Sequence, residues 1–84
     1  LSDEEARFLD LKLALAGALR RKREREGLSQ TALAKMIESS QSRVAKIEAG
    51  DRSVTLDLIV RSLLAMGTSP RELARIISGA KQAA

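Results

Sequence analysis

The chain has 84 residues, 44% of them apolar, with 15 Lys+Arg against 11 Asp+Glu for a net charge of +4, and no His or Cys. A chain this short supports one domain with one small core. Without imidazole or thiol, disulfides, Cys/His zinc-ligand sets and Ser-His or Cys-His nucleophile pairs are excluded.

Ser2 followed by Asp3, Glu4 and Glu5 predicts the start of a first helix over about 3–26, because a Ser cap satisfies a free N–H and carboxylates oppose the helix dipole. Its apolar stripe is Phe8, Leu11, Leu15 and Leu19. Gly17 inside it costs ~1 kcal/mol relative to Ala and marks a bend or a close contact. A second helix is expected over about 30–37, capped by Ser29, with Leu33 and Ile37 inward. The third spans about 41–48, capped by Ser40, with Val44 and Ile47 inward. The fourth, about 56–66, is capped by Thr55 and carries Leu56, Ile59, Val60, Leu63 and Leu64. The fifth, about 70–78, opens on Ser69, Pro70 and Glu72, a capping-box pattern with Pro at the first helical position, and carries Leu73, Ile76 and Ile77. Gly27, Gly50, Gly67 and Gly79 follow these helices, where positive φ is often required. No stretch alternates with period two, so no sheet is expected. Lys81–Ala84 reads as a frayed tail.

Charge is uneven along the chain. Residues 1–10 hold Asp3, Glu4, Glu5 and Asp10 against Arg7. Residues 11–35 hold Lys12, Arg20, Arg21, Lys22, Arg23, Arg25 and Lys35 against Glu24 and Glu26. The five cations of Arg20–Arg25 point in nearly every direction around a helix, so the run reads more as a solvated face than as one patch. Arg23 is the exception. It falls four residues after Leu19, and Glu48 falls four after Val44, so both lean toward a core. Opposite charges drawn inward are best explained by pairing with each other.

Residues 29–50 carry the most information. Two short helices meet in a tight turn at about Glu38–Ser40, with small Ala34 where one must cross the other. The third helix offers Gln41, Ser42, Arg43, Ala45 and Lys46 outward and little apolar area. A short polar helix propped by its neighbours can enter a DNA major groove and present side chains to base edges. Gln pairs with adenine and Lys with guanine, which makes Gln41, Ser42 and Lys46 the candidate base contacts. Ser29, Gln30, Arg43 and, more weakly, Arg52 are the candidate phosphate contacts.

Gly27-Leu28-Ser29-Gln30, Leu33-Ala34 and the run from Ser40 to Gly50 resemble the phage-repressor (Xre/Cro-type) helix-turn-helix family, over about residues 14–77. The resemblance implies an all-α, compact, lambda-repressor-like bundle of five helices. It implies a homodimeric transcriptional regulator whose third helix reads two half-sites of double-stranded DNA ~34 Å apart. It also implies the Arg23–Glu48 pair. Two features depart from the family: Glu38 stands where Gly is common, at a position tending to positive φ, and the first helix is extended. The whole chain, 1–84, thus reads as one helix-turn-helix domain, with an N-terminal helical extension over 1–13, a core over 14–77 and a tail over 78–84.

The extension spreads Phe8, Leu9, Leu11, Leu13 and Leu15 over more than one stripe. We expect Phe8, Leu11 and Leu15 to meet a second copy, together with Leu63, Leu64, Leu73, Ile76 and Ile77. The competing expectation is that the extension folds back on its own bundle. Phe8 as the single aromatic argues against single-stranded nucleic-acid stacking. Glu24 and Glu26, or Asp51 and Asp57, lie on polar faces with no convergent nucleophile, so no enzyme activity is expected and no cofactor is implied. Small proteins of this kind include HigA-like antitoxins, so the alternative function is a module that binds a toxin and represses its own promoter. No apolar run approaches the ~18 residues of a membrane span and the start does not read as a secretory signal, so a cytoplasmic location is expected.

Overall fold

A computed structural model describes residues 2–80. It contains α1 (Asp3–Arg25), α2 (Gln30–Met36), α3 (Gln41–Glu48), α4 (Leu56–Ala65) and α5 (Pro70–Ser78), and no strand among the described residues. The expected tail at Lys81–Ala84 lies outside them. Each helix opens where its cap was expected. Ser2, Ser29, Ser40, Thr55 and Ser69 each accept a hydrogen bond from a backbone N–H three residues on. Ser69 and Glu72 complete the reciprocal capping box, and Ser2 and Glu5 form a second one. Such caps stabilise by ~1 kcal/mol each, which matters for helices too short to persist alone.

α1 is the spine. It contributes Leu15, Ala16 and Leu19 to a core completed by Leu33 and Ala34 of α2, Val44 and Ile47 of α3, and Ile59 and Leu63 of α4. Val54 and Met66, in the connections around α4, are also buried there. α2 packs on α3, and α1 packs on α3, α4 and α5. α5 places only Leu73 and Ile76 against the core, half-buried, and buries no residue fully.

Several expectations are corrected. Phe8 is 51% exposed and has left the inward stripe of α1, whose first turns run past the core. Leu15 and Leu63 are both 1% exposed, inside the chain's own core, and so have no surface to offer a second copy. Leu11, Leu73 and Ile76 are half-buried against that same core. Leu64 and Ile77 remain exposed. Gly79 ends α5 at φ −86°, without the left-handed turn taken at Gly27, Gly50 and Gly67.

Gly50 is required twice over. Its φ is +64°, and a Cβ there would lie 2.6 Å from Leu13 Cδ2. Lys12 binds the same corner. It is only 6% exposed, and its Nζ donates 2.9 Å to the Asp51 carbonyl oxygen. α1 therefore packs on its own bundle from Leu11 onward, and the part that runs past the core is shorter than residues 1–13.

Candidate nucleic-acid interface

The turn between α2 and α3 is set by Glu38, which takes φ +54°. The positive φ implied for that position holds although the residue is not Gly. Ser39 N–H donates 2.8 Å to the Ala34 carbonyl, closing the corner, and Ala34 is 3% exposed. A larger side chain at 34 would push the two helices apart.

α3 is held by its inner face. Val44 and Ile47 are fully buried. Glu48, with a side chain 4% exposed, receives Arg23 of α1 in a bidentate pair: Nε to Oε2 at 2.5 Å and Nη2 to Oε1 at 3.0 Å. Arg23 Nη1 also donates 2.8 Å to the Leu28 carbonyl, tying the α1–α2 connection to the same point. The Glu48 hydrogen bond is the main cause that raises the Arg23 pKa above its ordinary value.

The network continues outward. Gln30 Nε2 donates 3.2 Å to Glu48 Oε1, and Gln30 Oε1 accepts from Gln41 Nε2 at 2.7 Å. A polar chain thus runs from α1 through Glu48 and Gln30 to Gln41, the first residue of α3. The sequence placed Gln30 among the phosphate contacts. In the structure its amide is engaged at both ends, and it orients Gln41.

Gln41, Ser42, Arg43 and Lys46 are all exposed; at ~100° per residue Ser42 and Lys46 lie opposite Val44 and Ile47, with Gln41 and Arg43 on the two flanks. Ser42 Oγ is 3.3 Å from the N-cap hydroxyl of Ser40. Ser42, Arg43 and Lys46, with Ser40, Ser53 and Val54, line a hollow of about 300 Å³. Ser29 is exposed and caps α2 through Ala32 N–H. Arg52 is not brought into the hollow. It lines a separate groove with Phe8, Leu9, Lys12 and the carboxylates of Glu4 and Glu5.

Sequence reading missed three contributors. Lys12 was given no role beyond its charge, yet it lies three residues before Leu15 on the inward stripe, and that position was the available signal. Asp51 and Ser53 form a small turn past α3: Ser53 Oγ donates 2.7 Å and its N–H 2.9 Å to Asp51 Oδ1. These bonds hold the Asp51 carboxyl below its usual range. An Asp with Ser two residues on is a turn signature, and it carries Ser53 beside the outward face of α3. Among the described residues no group of acidic side chains is placed to hold a metal ion, and no helix is long and apolar enough to cross a membrane.

A family model described as helix-turn-helix matches residues 19–73, well over half of the chain and all of α2, α3 and α4. No curated protein and no solved structure gives a significant match.

Proposed function

The chain belongs to the helix-turn-helix family and is a DNA-binding regulator of that type; on that premise we propose that it recognises specific double-stranded sequences by setting α3 in the major groove. The observation that carries this reading is the construction of α3. One face is locked by Val44, Ile47 and the Glu48–Arg23 pair; Ser42 and Lys46 point away from that support, and Gln41 and Arg43 are exposed on its flanks. Rigid support beneath and exposed polar side chains above, with Gln41 held in place by Gln30, suit base-edge readout. Gln41, Ser42 and Lys46 then meet bases. Arg43 and Ser29 meet phosphates, joined by Ser53 across the hollow. Gln30 sets the angle of Gln41.

Two copies read two half-sites. Their contact uses the exposed α1 face around Phe8, 51% exposed, and Leu9, 39% exposed. Selection of bound duplexes from a random pool at two salt concentrations tests the whole reading. An inverted repeat with one-turn spacing is expected, with affinity falling as salt rises. Failure of the folded protein to enrich any duplex would end it. Phe8→Asp is expected to give a monomer in sedimentation. It is a cleaner probe than deletion of residues 1–13, which also removes Lys12 from Asp51. A different small protein held on this face in place of a second copy would move the chain to the antitoxin role.

A further inference from the structure

The cation run of Arg20–Arg25 is only partly used by the DNA-reading face. Arg23 turns to Glu48, and Arg20 pairs with Glu24 along the helix. Arg21, Lys22 and Arg25 remain. At ~100° per residue, Arg21 and Arg25 lie about 160–200° around α1 from Arg23, on the side turned away from α3.

On that side α1 meets the α4–α5 corner, and the three cations converge there with Arg75 of α5 around a cavity of about 200 Å³. Its apolar floor is Ala18, Leu63 and Ile76. Arg21, Arg25 and Arg75 have no ion-pair partner among the described residues, while Lys22 Nζ stands 3.8 Å from Glu72 Oε2. Four cations against one carboxylate leave the pocket strongly positive. Glu72 registers this: its carboxyl is held below the usual range first by the Ser69 N–H and then by Lys22, with Arg75 and Arg25 adding to it.

Thr68 supplies the second observation. It is 4% exposed, it forms part of the pocket wall, and its Oγ1 is buried with no hydrogen-bond partner. Buried hydroxyls are almost always paired; this one lies just behind the cavity wall, where a side-chain rotation brings it to an acceptor bound among the cations. The volume is below the ~300 Å³ at which drug-sized sites begin, which limits the occupant to a small group.

We propose that this pocket binds the phosphate group of a small free anion, with Arg21, Arg25 and Arg75 neutralising it and Thr68 Oγ1 donating a hydrogen bond. A phosphate offers several acceptor oxygens to a ring of guanidinium groups, which bind it in bidentate fashion. Placed behind α1, the site is open while α3 occupies DNA.

The test is an amide NMR titration of the full chain with sodium pyrophosphate, ionic strength held constant with sodium chloride. Saturable one-site shifts are expected at Ala18, Thr68 and Glu72, with none at Gln41–Lys46. Arg75→Gln, on the surface, should weaken binding about tenfold or more, as should Thr68→Val, which keeps the shape and removes the orphan hydroxyl. Glu72→Gln keeps the cap and removes the competing charge, so it should tighten binding. Shifts that stay linear, or saturation unchanged in both Arg75→Gln and Thr68→Val, would overturn the proposal. A second arm adds duplex DNA. If DNA shifts these same amides, the pocket serves backbone phosphates and the proposal of a free anion fails.

Discussion

Replacing Glu48 with Ala should be the most damaging single change on the polar side of the core. The wild-type pair sits with side chains 11% and 4% exposed, joined by two hydrogen bonds. The substitution leaves Arg23 with the Leu28 carbonyl alone and strips Gln30 Nε2 of its acceptor. Removing one member of a buried pair costs ~3–5 kcal/mol, because the other charge stays desolvated and unpaired. A domain of this size has only about 4–13 kcal/mol in total, at ~0.05–0.15 kcal/mol per residue. The loss corresponds to a fall in Tm of at least ~12 °C, at ~4–8 °C per kcal/mol. Urea unfolding followed by far-UV circular dichroism measures it directly. The double substitution Arg23→Met with Glu48→Met is the decisive companion: with both charges gone, most of the stability should return. A loss below ~1 kcal/mol in Glu48→Ala, or a double variant as unstable as the single one, would show that the pair is not what fixes α3 on α1.

Gly50→Ala should destabilise by ~2 kcal/mol or more, from the left-handed φ and the close approach of Leu13; the same urea titration reads it, and Leu13→Ala alongside it should relieve the steric part only. Asp51 and Glu72 both titrate below their ordinary 3.8 and 4.5 in the folded chain. Their contribution is therefore present above those values and is lost as pH falls through the lower folded ones. Thermal melts should show stability dropping below about pH 4.5, less steeply in Glu72→Gln. Lys46→Ala should cost ~1–3 kcal/mol of DNA affinity at particular base pairs, whereas Arg43→Ala should weaken all duplexes alike and reduce the salt slope by about one. Competition binding against singly mutated operators separates the two patterns.

Local chemistry made most of the helices legible. Five hydroxyl caps, one Ser-Pro-x-Glu start and apolar residues three and four apart each act within a single turn, so Ser2, Ser29, Ser40, Thr55 and Ser69 announced their helices with no knowledge of the rest. The inward lean of Arg23 and Glu48 was equally local, and two charges each leaning on a core have few alternatives to meeting. What the sequence could not decide was which of several apolar faces had a neighbour. Phe8 and Leu15 are equivalent on a helical projection, yet Leu15 is buried in the core while Phe8, two turns earlier, is 51% exposed. Nothing local gives Lys12 a partner; the α3–α4 connection brings the Asp51 carbonyl over it. Thr68 and Arg75 lie far along the chain from Arg21 and Arg25, and only the packing of α5 on α1 makes one pocket of them. Periodicity reports how a helix is divided into faces; the long-range packing alone decides what each face touches.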